Sequence, residues 1–304
     1  VIYFCIPALD EAPTVGLLLW KIRRVMEDFP REYEILVLDD ASADATPEVL
    51  QPYARVLPLT VLRSERTGGY AAAVERLLRE AVSRSTHPKR DVAVVLQADF
   101  TENPEDVPAL LRKLEGGADV VGSLPVETGE EAPRPLRWSR KGLPWLLPRA
   151  ALPRGLGDPF TGFRAYRISV LRRTFADGKT PLLTRAGWAA NAELLMAVAP
   201  HVRRGDAAPV TVRHDRHARD SRFLAWGAVR EVWELRRTAP RLAPPAPAPE
   251  AGAPPPPRAP RAAAAVPPAD AGTDLDSQPE RERRPRPRRP RKKPPVPEGS
   301  TDAS

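Results

Sequence analysis

Two groups of acidic side chains stand immediately after apolar runs, where chemistry at a strand end would need them. "VVLQADFTENPED" (94–106) puts Asp99 just past a run that reads as a buried strand, and Gln97 stands two residues earlier, where a second carboxylate would complete a clamp for a cation. "EILVLDDAS" ends a second such run in Asp39 and Asp40. Carboxylates so placed can hold a hard divalent ion through oxygen. They can also simply close a strand or cap the next helix, as Asp39, Asp40 and Ser42 could. Downstream, "RHDRHARDSR" gathers Arg216, Arg219 and Arg222. Guanidinium groups suit bidentate phosphate contacts, although a solvated basic turn has the same composition. His214 and His217 share an H-x-x-H spacing, but without a Cys or third ligand nearby the pair does not read as a zinc site.

The segments that must position these residues alternate in type. "VIYFCIPAL" is a short apolar run closed by a proline-containing turn, a buried strand by composition. "PTVGLLLWKIRRVMEDF" places Val15, Leu18, Leu19, Ile22, Val25, Met26 and Phe29 on one helical face. The strand "EILVLDDAS" is followed by a helix in "DATPEVLQPYA", with Asp44 or Thr46 as cap and Pro47 in its first turn. "LTVLRSE" and "YAAAVERLLREAV" repeat the pair, as do "DVAVVLQAD" and "NPEDVPALLRKLEGG", and "ADVVGS" adds a strand. Strands alternating with helices of this length predict an α/β fold, a mostly parallel sheet with helices on both faces. Ligands of such sheets bind at the carboxyl ends of the strands, where both acidic groups fall.

After Ser123 the alternation stops. Residues 125–157 are rich in Pro, Arg and Trp and read as a mobile segment over the sheet edge. "DPFTGFRAYRISVLRRTF" and "LTRAGWAANAELLMAVAP" each read as a loop followed by a helix, "APVTVRHD" as a late strand and "SRFLAWGAVREVWELRR" as a final helix.

Composition sets the outer limits. The chain has 304 residues, a formal net charge of +8, 38 prolines and one cysteine. Residues 239–304 are Pro, Ala, Arg and Glu with almost no large apolar side chain, so they cannot bury enough surface to offset ordering entropy and read as a disordered tail. Residues 1–238 then form one domain. Cys5 has no partner for a disulfide, which makes a reducing, cytoplasmic setting the expectation. Neither a signal peptide nor an apolar run of about 18 residues is recognisable. The tail's "RERRPRPRRPRKKPP" would be drawn to anionic lipid at the membrane face, or would merely solubilise the chain. It lacks the stacking aromatics that would favour nucleic acid.

Six motifs in order, "IPALDEAPTV", "VLDDASADAT", "GGYAAAV", "LQADFTENPED", "DPFTGFRAYR" and "RHDRHARDSR", resemble family 2 glycosyltransferases, and within them the branch that includes dolichol-phosphate mannose synthase. The resemblance covers residues 1 to about 237. It implies a GT-A-type, Rossmann-like domain and inverting transfer of a sugar from a UDP- or GDP-linked donor to a polyprenyl phosphate. Transfer to a saccharide or protein hydroxyl is the rival reading, and a degenerate non-catalytic domain, with the basic tail as a membrane- or partner-binding module, a third.

By the same resemblance, Pro7, Ala8, Asp10 and Glu11 help hold the nucleoside and Asp40 bonds its base or ribose. Gly69 lets the nucleoside approach the backbone. The Asp-x-Asp position falls on Gln97, Ala98 and Asp99, with Asp99 meeting Mg²⁺ or Mn²⁺ and the donor diphosphate, and Gln97 either offering the ion its carbonyl oxygen or contacting ribose instead. A Gln is usual two residues after the second carboxylate; here Thr101 stands there. Arg216, Ser221 and Arg222 match a closing element on the diphosphate, with Arg219 in place of its Gly. Asp158, Thr161, Gly162 and Arg164 match the acceptor-side element, Arg164 facing the acceptor phosphate or the donor diphosphate. Glu193 matches a carboxylate near the active site, or is a helix-surface Glu. A phosphate acceptor is already ionised and needs no general base, whereas a hydroxyl would.

Overall fold

A computed structural model describes residues 1–127, 147, 151–176, 178, 181–212 and 225–238. The chain divides into two units, Val1–Ala248 and Pro249–Ser304, and the second lies outside the described residues, as does the whole proposed tail.

The apolar runs become strands: β1 (Ile2–Ala8), β2 (Tyr33–Asp39), β3 (Leu59–Arg63), β4 (Val92–Val95) and β5 (Val120–Glu127). Two further strands, β6 (Arg164–Arg167) and β7 (Gly205–Val212), complete one sheet in the order β3-β2-β1-β4-β6-β5-β7. All neighbours run parallel except β6, which is antiparallel to both β4 and β5. The helices are α1 (Ala12–Glu27), α2 (Thr46–Ala54), α3 (Tyr70–Arg84), α4 (Val107–Glu115), α5 (Ile168–Phe175), α6 (Trp188–Val198) and α7 (Ala225–Thr238).

Because successive side chains of a strand point to opposite faces, each central strand feeds two cores. Phe4, Ile6, Ile35, Val37, Val92 and Val94 pack with α1, α2 and α4 through Leu18, Leu19, Leu50, Leu110 and Leu111. Tyr3, Cys5, Leu36, Leu38, Ala93 and Val95 pack with α3, α5 and α6 through Val74, Leu77, Leu171 and Leu194. The mostly parallel sheet with helices on both faces is thus as the alternation predicts. Cys5 is fully buried, and desolvation pushes its thiol pKa well up, which fits a packing side chain.

Two expectations are corrected. "DPFTGFRAYR" is not a loop running straight into a helix: its last four residues form β6, wedged antiparallel between β4 and β5. Nor is 125–157 wholly a segment over the edge, since β5 continues to Glu127 beside β7 and Leu156 is buried in the core. Residues 128–146 and 148–150 of that stretch lie outside the described residues. In α1, Phe29 packs on the core from just beyond the helix end. No helix among the described residues is long and apolar enough to cross a membrane.

Candidate active site

The carboxyl ends of β1, β2 and β4 are where the backbone is strained. Among the described residues, the non-glycine positions with positive φ are Asp10 (54°), Ala41 (61°) and Phe100 (60°), one after each of these strands. Such conformations cost on the order of 1–3 kcal/mol each and persist only where surrounding contacts enforce them.

Those contacts are side chain to backbone. Ser42 Oγ accepts the Asp10 N–H (2.9 Å), and Asp10 Oδ1 accepts the Ala43 N–H (2.7 Å). Thr46 Oγ1 accepts the Glu11 N–H (2.8 Å), and Asp44 Oδ2 that of Ala12 (3.1 Å). The loop after β1, which carries Asp10 and Glu11 just past Pro7 and Ala8 at the strand's end, and the loop after β2 are therefore one hydrogen-bonded unit. Asp40 is buried, and its carboxylate accepts the N–H groups of Gly68 (2.9 and 3.1 Å) and Gly69 (2.8 Å). It thus pins the glycine loop, where φ of +84° at Gly69 is a conformation glycine adopts without a Cβ penalty. Oδ1 of its neighbour Asp39 accepts the Ser42 N–H (2.9 Å), while Oδ2 is buried without a hydrogen bond and lies 3.5 Å from Arg63 Nε. Beside this pair, Ala41, Arg63, Ser64 and Glu65 line an open depression of about 480 Å³.

At the end of β4, Asp99 Oδ1 accepts the Thr101 N–H (3.0 Å), closing the turn that Phe100 strains. The turn brings Glu102 back beneath the strand end. Its Oε2 accepts the Gln97 backbone N–H (3.0 Å). Burial, then the nearby Asp99 charge, push the Glu102 carboxyl up to about 7.

This shift carries a sign. In cation-free protein the folded state holds a proton that the unfolded chain releases near the usual 4.5. The stability so contributed is complete below about 4.5 and is lost as pH rises through about 7, on the order of 3 kcal/mol in all. Denaturant melts in a chelator at about pH 5 and about pH 8 should show this fall, and Glu102→Gln should flatten it.

The acceptor-side motif is held from within. Arg164 is fully buried, donating from Nη1 to the Asn191 carbonyl (3.2 Å) and from Nη2 to the Asp158 carbonyl (2.8 Å), with Nε buried and without a hydrogen bond. On β6 it is carried into the sheet interior, where it fixes the 158–161 turn. Asp158 Oδ1 accepts the Phe160 N–H (2.9 Å), and Ser123 Oγ donates to Thr161 Oγ1 (3.0 Å), tying the turn to β5. Gly162 lies against Tyr70, whose hydroxyl donates to Asn191 Oδ1 (2.9 Å). Glu193 is likewise engaged: Oε2 accepts the N–H groups of Thr184 (2.7 Å) and Arg185 (2.9 Å), and Oε1 the Thr184 hydroxyl (2.8 Å).

Pro7 and Ala8 close β1, and Asp10, Glu11, Asp40, Gly69, Gln97, Ala98 and Asp99 follow the ends of β1 to β4, while Arg216, Ser221 and Arg222, with Arg219, His214 and His217, lie outside the described residues. Glu102, Tyr70 and Asn191 were not singled out by sequence. Glu102 alone had a signal, a second carboxylate three residues after Asp99.

The comparisons with known proteins fit this edge. Residues 3–175 match the family described as Glycosyl transferase family 2. The chain belongs to that family. Relatives in it include a dolichol-phosphate mannosyltransferase of Pyrococcus furiosus, 33% identical over 171 residues, covering 55% of this chain and 46% of the relative. An undecaprenyl-phosphate mannosyltransferase of Micrococcus luteus is 33% identical over 171 residues, 55% of this chain and 66% of the relative. The match thus spans about half to two thirds of these relatives' lengths. Among solved structures, glucosyl-3-phosphoglycerate synthase of Mycobacterium tuberculosis, in complex with Mn²⁺, UDP and glucosyl-3-phosphoglycerate, superposes with a TM-score of 0.51. It is 20% identical, over 78% of this chain and 77% of that one, a likeness of fold. The family's GT-A architecture is the one the sheet order displays.

Proposed function

We propose that this chain transfers a sugar, with inversion, from a UDP- or GDP-linked donor to a polyprenyl phosphate. The observation that carries the reading is the joint placement of Asp39 and Asp40 at the end of β2 and Asp99 after β4, the two strands that flank β1 in a family 2 domain. The acceptors named for the relatives support the choice of lipid phosphate. So does the engagement of Glu193 with residues 184 and 185, which leaves it unsuited to take a proton from a hydroxyl acceptor. A phosphate oxygen attacks without a base.

The donor set suits a hard divalent cation. Asp99 offers a carboxylate and Gln97 an amide carbonyl, both oxygen donors of the kind Mg²⁺ and Mn²⁺ take. The donor diphosphate would supply further oxygen ligands. Bound there, the ion would neutralise charge growing on the nucleoside diphosphate leaving group. The protein's own part is orientation. The depression beside Arg63 takes the nucleoside, whose N–H or ribose hydroxyl would complete the buried Asp39 Oδ2, and Asp40 holds the glycine loop against it. Arg216, Ser221 and Arg222 would close on the diphosphate, and the basic tail would keep the chain at an anionic, cytoplasmic membrane face.

Asp40→Ala should release Gly68 and Gly69 and weaken nucleotide binding about tenfold in calorimetric titrations with UDP and GDP. The reading as a whole is tested by incubating the protein with UDP- and GDP-sugars and undecaprenyl phosphate, with and without Mn²⁺. The expected product is an acid-labile lipid-linked sugar of inverted anomeric configuration. Inactivity on every donor, together with no nucleotide binding by calorimetry, would sink it.

A further inference from the structure

We propose that Tyr70 and Asn191 form a positioning pair that ties the glycine loop on the nucleotide side to the 158–161 turn on the acceptor side, so that nucleotide bound at one favours a lipid phosphate at the other. The inference rests on the polyprenyl-phosphate reading above, which gives that turn to the acceptor.

Tyr70 opens α3 directly after Gly69, whose N–H is held by Asp40, so its ring is set by the glycine loop. The hydroxyl donates to Asn191 Oδ1 at 2.9 Å, a residue on α6 that is 3% exposed. At its other end, Asn191 Nδ2 donates to the Phe160 carbonyl at 3.0 Å. A carbonyl only accepts, so Phe160 must face the amide nitrogen, and the amide oxygen is left for the Tyr70 hydroxyl. One side chain thus uses its two ends in two directions, one toward each loop. The main-chain carbonyl of Asn191 accepts Arg164 Nη1 (3.2 Å), and Nη2 of the same guanidinium holds the Asp158 carbonyl (2.8 Å). Two carbonyls of the turn are therefore fastened around this one residue.

The turn also comes up to the hydroxyl with no side chain between. A Cβ at Gly162 would lie 2.6 Å from the Tyr70 hydroxyl oxygen and 3.6 Å from Asn191 Nδ2. Helix α3 does not need the hydroxyl for its seat, because Val74, Leu77 and Leu78 pack it into the core. What the hydroxyl adds is a link between two loops. A ligand that orders one loop then leaves less ordering for the ligand of the other, and the gain is mutual.

The test is calorimetric titration of the full chain with whichever of UDP or GDP it binds, with and without undecaprenyl phosphate in detergent micelles. Neither nucleotide carries a sugar, so no turnover intervenes. In wild-type protein, saturating undecaprenyl phosphate should tighten nucleotide binding about fivefold or more. Tyr70→Phe keeps the ring and should bind nucleotide alone within about twofold of wild type, with the tightening reduced to less than about twofold. Asn191→Ala removes the partner instead and should give the same loss. The double variant should lose no more than either single, as expected of two groups acting through one bond.

A merely structural role would lower the melting temperature without cancelling the ratio between the two titrations. Thermal melts report folding, and Asn191→Ala decides the matter if Tyr70→Phe does not fold. Tightening below about twofold in wild-type protein that binds both ligands, or tightening that survives in folded Tyr70→Phe, would overturn the inference and leave the transferase reading standing. Failure of wild-type protein to bind undecaprenyl phosphate would instead remove the acceptor reading itself, and this inference with it.

Discussion

Asp99→Ala is expected to reduce sugar transfer about a thousandfold while leaving the fold in place. A single group that stabilises charge developing on a leaving group contributes on this scale, and here the side chain carries the formal charge of the pair at 97 and 99. Its structural part is small by comparison. Asp99 is only half-buried and accepts the Thr101 N–H at 3.0 Å, a bond worth about 1 kcal/mol net. Asp99→Asn keeps an acceptor for Thr101 but not the charge, so it should melt close to wild type and be nearly as inactive as the alanine variant. Initial rates with saturating Mn²⁺, set beside thermal melts, separate the two contributions. Cation-dependent turnover that survives in Asp99→Asn would mean that the charge needed at the diphosphate comes from elsewhere in the chain.

The second large effect is on folding, and it arises where two stretches of backbone touch. A Cβ added at Gly122 on β5 would lie 2.0 Å from the Leu156 carbonyl oxygen and 2.9 Å from its carbon. Neither neighbour is a side chain that can swing away. On β7, Gly205 meets the Arg154 carbonyl in the same way, at 2.4 Å. The stretch 154–157 is therefore laid directly on two strands, and it delivers Asp158, Thr161 and Arg164 to their places. Gly122→Ala should cost about 3 kcal/mol or more, by forcing this stretch off the sheet. Equilibrium unfolding in denaturant measures the loss, and activity should fall with it because the 158–161 turn hangs from Ser123 and Arg164. A cost below about 1 kcal/mol would show that 154–157 can shift without consequence, and that the turn is positioned by other contacts.

The central strands β1, β2 and β4 were legible because each is buried on both faces, so its own residues state its environment. β6 was not. Its four residues, "RAYR", hold two arginines, and a completely buried Arg164 has no local signature. Its enclosure comes from β4 on one side and β5 on the other, strands distant in sequence. The same division runs through the site. That Asp40 and Asp99 follow strands could be read directly. That Asp40 holds Gly68 and Gly69, that Glu193 holds residues 184 and 185, and that Arg164 holds Asp158 and Asn191 could not.

By itself, then, the sequence determined which residues lie at the carboxyl edge of a mostly parallel sheet, because apolar periodicity is a local property with a local cause. Only the tertiary structure decided what each polar group does there. A carboxylate's role follows from which N–H groups reach it, and those are set by chain crossings and by turns such as the one at Phe100, whose φ of +60° brings Glu102 back under Gln97.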